Sequence, residues 1–358
     1  MEITPKEVLQ ALSVVIDPDF KKDIVTLGMV RHINIEGNKL SFDLVLTTPA
    51  CPLKDMLEKG CRDAIRDRLS PDFIVDINVT SEVRKNIFMQ GTLDGVKNVI
   101  AVASGKGGVG KSTVSLSLAK VLAESGAKVG LMDADIYGPS QPTLTGTESY
   151  KPTGVQGKDK NLMKAAEVGG LKVFSIGYLV EPGVAVAWRG PMMSTALRQF
   201  VSDVAWGELD YLIIDLPPGT GDAQLTLCAA LKITGVVIVT TPQKVAMVDA
   251  DRALQMFRMK GLTVPILGII ENMAWFETPE LPNRKFYIFG DSAAKQLSEQ
   301  SGVPLLGSVP IIENLSSDQN KGSIIENNPV LPYFKEIVGN LVRNLAIQTQ
   351  HIQEAQTS

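Results

Sequence analysis

The chain contains no C-x-x-C pair, and its cysteines number three in 358 residues: Cys51, Cys61 and Cys228. That excludes a disulfide framework and points to a reducing compartment. Histidine is nearly absent. His32 is flanked by strand residues and His351 lies in a polar tail, too far apart for a zinc motif. No apolar run is long enough to span a bilayer. The first residues, Met1 to Lys6, lack a charged segment followed by an apolar one, so no signal peptide is expected. Neither charge sign dominates: the net charge is −4, which leaves no global basic footprint for nucleic acid. Hydrophobic residues make up 44% of the chain, enough for a full core, so disorder is not the default. The expectation is a soluble, cytoplasmic protein (stromal if a transit peptide has been removed), without a nucleic-acid or membrane partner.

What is present is organised in two blocks. Residues 1–85 read as a small α+β domain. Thr4 caps a helix with Pro5 at its first position, running to about Val15. Val30 to Ile35 and Lys39 to Leu46 read as strands joined by a turn at Glu36-Gly37-Asn38. Pro52 to Leu69 reads as a helix with Leu53, Met56, Leu57, Cys61 and Ile65 on one face, and Phe73 to Val83 as a third strand. Residues 86–97 suit a linker, 98–348 a second domain, and 349–358 a polar tail. In the second domain the strands are Val99–Ser104, Lys128–Asp133, Leu171–Ile176, Tyr211–Asp215, Gly235–Thr240, Pro265–Ile270 and Pro304–Ser308, with helices between most of them. Continuous apolar strands alternating with helices imply a mostly parallel sheet covered by helices on both faces. Ligands then bind at the carboxyl ends of the strands. Gly146 to Lys164 reads as a surface loop and Glu277 to Phe289 as an excursion from the sheet. Phe334, Ile337, Val338, Leu341, Val342 and Leu345 have the spacing of a core-packing helix, with too few basic residues for a membrane surface.

Gly105-Lys106-Gly107-Gly108-Val109-Gly110-Lys111-Ser112 fits G-x-x-x-x-G-K-[ST], the phosphate-binding loop of P-loop NTPases. An apolar strand leads into it and a helical run beginning at Thr113 leads out, which is the context the motif needs. The glycines let backbone N–H groups wrap a polyphosphate, and the following helix points its positive end at the same anion. Lys111 can reach the β- and γ-phosphates of ATP, and the Ser112 hydroxyl can hold Mg²⁺. Lys106 is a second cation inside the loop. It is either a solvated lysine or a group that neutralises the transition state from across a dimer interface, as an arginine finger does.

Other polar residues stand at strand ends. Asp215 closes Tyr211–Asp215 and suits the aspartate that holds the Mg²⁺ shell. The following Leu216-Pro217-Pro218-Gly219-Thr220-Gly221-Asp222 can place a backbone N–H near the γ-phosphate, with Asp222 as an N-cap. Asp133-Ala134-Asp135 puts two carboxylates at one strand end. Asp135 is the choice for orienting the attacking water and Asp133 for support, unless one of them caps the next turn. Asn272, in Glu271-Asn272-Met273, either reads a purine edge or makes a turn. Cys51 lies just before a helix, where a lowered thiol pKa would make it a metal or sulfur ligand; otherwise it is an inert, half-buried cysteine. Cys61 and Cys228 sit in apolar periodic runs and read as core.

These residues resemble the deviant Walker A group of P-loop ATPases, with its G-K-G-G-x-G-K-[ST] loop. Within that group the chain looks most like the Mrp/ApbC family of iron–sulfur cluster carrier ATPases. The resemblance rests on Val102 to Thr113, Asp133-Ala134-Asp135-Ile136-Tyr137-Gly138-Pro139-Ser140, Trp188-Arg189-Gly190-Pro191-Met192, Asp215 to Asp222, and Glu271-Asn272-Met273. The first domain is similar to the small domain of iron–sulfur assembly proteins, with Thr48-Pro49-Ala50-Cys51-Pro52 as its motif. The resemblance implies a homodimer that sandwiches two ATP molecules, with Lys106 of each subunit at the other's nucleotide. It also implies an iron–sulfur cluster received from an assembly scaffold and passed to apoproteins under ATP control. Many members of the family carry C-x-x-C shortly after the Glu-Asn-Met segment. Here the corresponding stretch, Trp275 to Lys285, has no cysteine. Cys51 from each subunit would then supply two thiolates, with glutathione or a target protein completing the usual four ligands. Two rival classes stay open: a positioning or partition-type ATPase, and a slow ATP-switched scaffold without cluster binding.

Overall fold

The computed structural model describes residues 3–85, 93, 95–157, 160–179, 200, 202–259, 262, 264–278, 280, 284–291, 293–312 and 329–357. The run Trp188 to Met192 and much of the expected linker lie outside them. Contacts divide the chain into two compact units, 1–84 together with 346–358, and 85–345.

In the first unit, helix Pro5–Leu12 starts at a capping box. The Glu7 N–H donates to the Thr4 hydroxyl, and the Glu7 carboxylate accepts from the Thr4 N–H at 2.8 Å. Strands Val30–Glu36 and Lys39–Leu46 form the expected antiparallel hairpin, and Ile74–Ser81 joins Lys39–Leu46 in parallel. Helix Lys54–Arg68 makes the crossover that a parallel pair requires. Along Lys39–Leu46, buried Leu40, Phe42, Leu44 and Leu46 alternate with the less buried Lys39, Ser41, Asp43 and Val45, so one sheet face meets the helices. Leu57, Cys61 and Ile65 are buried in that core, but Met56 is 49% exposed. It lies about 100° around the helix from Leu57, on the side away from Cys61 and Ile65.

Residues 349–357 of the expected polar tail are helical. They are the final turns of helix Leu331–Thr357, and those from Ala346 belong to the first unit. Within that unit Lys22 Nζ donates to Glu354 Oε1 at 2.8 Å. Hydrophobic periodicity stops at Leu345, and polar pairs continue the helix without leaving an apolar pattern to read. Phe334, Ile337, Val338, Leu341, Val342 and Leu345 are all buried.

The second unit is built on an eight-stranded sheet in the order Ala166–Val168, Leu171–Ser175, Val129–Asp133, Leu209–Asp215, Val96–Ala103, Gly235–Thr240, Ile266–Glu271, Leu305–Ser308. Every pairing is parallel except that of the edge strand Ala166–Val168. The expected strands are all present, and the inner ones are buried almost throughout, as a sheet covered by helices on both faces demands. The edge strand Ala166–Val168 was not expected; three residues are too few for a period. The stretch Gly146 to Lys164 holds a small hairpin, Gly154–Gln156 with Asn161–Met163. Among the described residues no helix is long and apolar enough to cross a membrane.

Candidate functional site

The parallel register sets three strand ends side by side. Asp215 pairs with Asp133 on one side and with Val102 on the other. The loop after Ala103 therefore rises beside both carboxylates. Helix Lys111–Glu124 follows, with Gly110 as its N-cap at φ 81° and no side chain capping it. Its first N–H groups stay available to an anion. Gly108 has φ 80°, a conformation that suits glycine. A Cβ at Gly105 would meet the Asp249 carbonyl oxygen at 2.0 Å, whereas Gly107 and Gly108 face open space.

Lys111 is buried, and its ammonium donates to Asp215 Oδ1 at 2.5 Å. Its distance to Asp135 Oδ2 is 4.0 Å. Ser115 donates to the same Asp215 oxygen at 3.1 Å, and Gln141 Nε2 donates to Asp215 Oδ2 at 3.0 Å and to the Ser112 carbonyl at 3.0 Å. Asp135 accepts from the N–H groups of Tyr137 and Gly138. Burial pushes its carboxyl above the ordinary range, against the pull of Lys111. Lys106 Nζ donates to Gln243 Oε1 at 3.3 Å, at the start of helix Lys244–Phe257. The structure thus brings together Lys111, Ser112, Asp133, Asp135 and Asp215.

Asp133 is a hub. Its carboxylate accepts from the N–H groups of Asp135, Ser140 and Gln141 and from the Ser175 hydroxyl. It therefore shapes the turn from Asp135 to Ser140. Burial, and then the Asp215 charge, push its carboxyl up to about 7. An unfolded aspartate titrates near 3.9. Between those values the folded protein holds more protons than the unfolded one, so stability falls with rising pH. The contribution of Asp133 is complete below about pH 4 and is lost as pH passes about 7. We expect the urea midpoint to fall between about pH 5 and about pH 8, and Asp133→Asn to reduce that difference. An unchanged pH difference in the variant would refute this assignment.

The Asp222 cap and the Cys51 thiol differ from expectation. Asp222 is the first residue of helix Asp222–Ala230, and Gly221 is its N-cap. One amide hydrogen of Asn272 is engaged by the Val109 carbonyl at 2.9 Å, so this side chain braces the phosphate-binding loop. Cys51 is half-buried, and its thiol is raised, not lowered. Burial is the main cause, and Asp17 and Asp19 add to it, outweighing the Leu53 N–H at the helix start. Cys61 and Cys228 are buried, as expected of core residues. Among the described residues no three His, Cys, Asp or Glu side chains form a metal-binding group. Gln141, Ser115 and Ser175 were not legible as site residues. Their contacts to Asp133 and Asp215 join residues far apart in sequence.

A glycine-rich loop between a central parallel strand and a helix, with an aspartate ending the neighbouring strand, defines a P-loop NTPase. A family model described as the NUBPL iron-transfer P-loop NTPase matches residues 95–346, and one described as iron–sulfur cluster assembly protein matches residues 5–79. The chain belongs to the NUBPL iron-transfer P-loop NTPase family. The iron–sulfur cluster carrier protein of Synechocystis is 44% identical over 322 residues, covering 89% of this chain and 90% of that protein. The protein of the same name in Escherichia coli K12 is 40% identical, covering 86% of this chain and 82% of its own length. The chloroplastic Fe-S cluster assembly factor HCF101 of Arabidopsis thaliana is 42% identical; 90% of this chain spans 60% of that protein. Among solved structures, a nucleotide-binding protein from Archaeoglobus fulgidus in complex with ADP superposes with a TM-score of 0.59. It is 39% identical and covers 68% of this chain and 93% of its own.

Proposed function

We propose that the chain is an ATP-hydrolysing iron–sulfur cluster carrier that acts as a homodimer and passes clusters to apoproteins. The observation that carries the ATPase part is the contact between Lys111 and Asp215 at the mouth of the loop. Lys111, the proposed contact of the β- and γ-phosphates, lies against Asp215, whose carboxylate would face Mg²⁺. The donors there, the Ser112 hydroxyl and the Asp215 carboxylate, are hard oxygens, which suit Mg²⁺. Bound Mg²⁺ would neutralise charge on the phosphates. Lys111 and the loop N–H groups hold the phosphates, and Asp135 orients the attacking water. Phosphoryl transfer needs little more than positioning and neutralisation, which is why no strongly basic residue is required. Lys106 completes the site of the partner copy. The relatives named as cluster carriers support the cargo. Cys51 is half-buried where Cys61 and Cys228 are buried, and it is the proposed cluster contact.

Two measurements test this reading. Lys106→Ala is expected to lower hydrolysis about a thousandfold, as loss of an arginine finger does, with nucleotide binding still measurable. Undiminished turnover would remove Lys106 from the reaction. Anaerobic reconstitution, followed by visible absorption, is expected to show less cluster in Cys51→Ser than in the natural chain. Equal content would exclude Cys51, and no cluster in either would remove the carrier role.

A further inference from the structure

Gln141 belongs to no motif, yet it is completely buried beside the phosphate-binding loop. Its N–H donates to Asp133 Oδ2, which pins the start of the short helix Gln141–Thr145. Its amide nitrogen donates to the Ser112 carbonyl and to Asp215 Oδ2, both at 3.0 Å. The other Asp215 oxygen is held by Lys111 and Ser115. One amide therefore ties the start of the loop helix to the strand-end carboxylate. Its own oxygen, Oε1, is buried and accepts no hydrogen bond among the described residues.

Buried amide oxygens are nearly always satisfied, and this one, beside the phosphate-binding loop, lacks a donor from the described residues. The phosphates of a nucleotide are acceptors and cannot fill that role. A hydrated magnesium ion can, because it keeps several of its waters when it binds phosphates and carboxylates, and those waters donate. We propose that Gln141 is a positioning residue for the divalent cation that accompanies the nucleotide. Its Nε2 orients Asp215, and its Oε1 accepts a hydrogen bond from a cation-bound water. This rests on the ATPase reading above. Outer-shell partners of this kind are worth about 10- to 100-fold in metal affinity.

The test uses the full-length chain and a fluorescent ATP analogue. Its affinity is measured in EDTA and then across a magnesium titration. Gln141→Leu is expected to raise the magnesium concentration for half-maximal binding about 10- to 100-fold, with little change in EDTA. Gln141→Met, which keeps the length and loses both polar atoms, serves if the leucine variant does not fold. An unshifted magnesium midpoint overturns the proposal. An equal loss of affinity with and without magnesium also overturns it, because that reports a damaged loop. Failure of the natural chain to bind the analogue at all would instead remove the ATPase reading.

Discussion

Lys111→Ala is expected to abolish nucleotide hydrolysis and to weaken the fold at the same time. The first effect follows from the role proposed for its ammonium on the phosphates. The second follows from burial. Lys111 is 6% exposed and Asp215 is fully buried, and they are 2.5 Å apart. Removing the lysine strands a carboxylate that water cannot reach. Ser115 and Gln141 still donate to it, but neither carries charge. Breaking a buried pair in this way typically costs about 3–5 kcal/mol. Replacing both partners by apolar residues is often close to neutral. Lys111→Met combined with Asp215→Leu should therefore recover most of the stability and none of the activity. Phosphate release and urea unfolding on the two variants and the natural chain separate the two effects. A single variant as stable as the natural chain would mean that the pair is not a buried ion pair.

Gly105→Ala carries the second large effect, for a reason unlike that at Gly108 or Gly110. Those two glycines occupy left-handed conformations. Gly105 is constrained by space. Its added Cβ would lie 2.0 Å from the Asp249 carbonyl oxygen and 2.7 Å from the Ala250 nitrogen, both backbone atoms of helix Lys244–Phe257. No rotamer change relieves such a contact. The loop or the helix must shift, which costs about 3 kcal/mol. A displacement of about 1 Å at a phosphate-binding loop is also enough to lose about a hundredfold in activity. Gly107→Ala is the control, because nothing lies within 4 Å of its Cβ. Its stability should stay within about 0.5 kcal/mol of the natural chain. Equal stability losses in the two variants would show that glycine flexibility, and not close packing, governs Gly105.

The parallel strands of the second unit were legible because each is coded by neighbours in sequence. Val99 to Ala103 is continuously apolar, so it reads as a strand buried on both faces. The glycine spacing from Gly105 to Gly110 reads as an anion cradle whatever surrounds it. The same holds for the helix cap at Thr4 and the strand from Lys39 to Leu46. The misreadings have the opposite character. Met56 has the right chemistry for the core, but helix phase turns it outward. Cys51 precedes a helix, but its thiol answers to burial and to Asp17 and Asp19.

The site divides along the same line. Local pattern established the P-loop, the strand-end aspartates and the mostly parallel sheet, because periods of two and 3.6 residues and glycine geometry are properties of short segments. Long-range packing established which groups touch. Lys111 meets Asp215 across 104 residues, Gln141 meets Asp215 across 74, and Asn272 braces Val109 across 163. Those meetings depend on strand order and register, which place distant strand ends a few ångströms apart. No short segment contains that order, so a glutamine before a proline gives no sign in sequence that it is buried against a carboxylate.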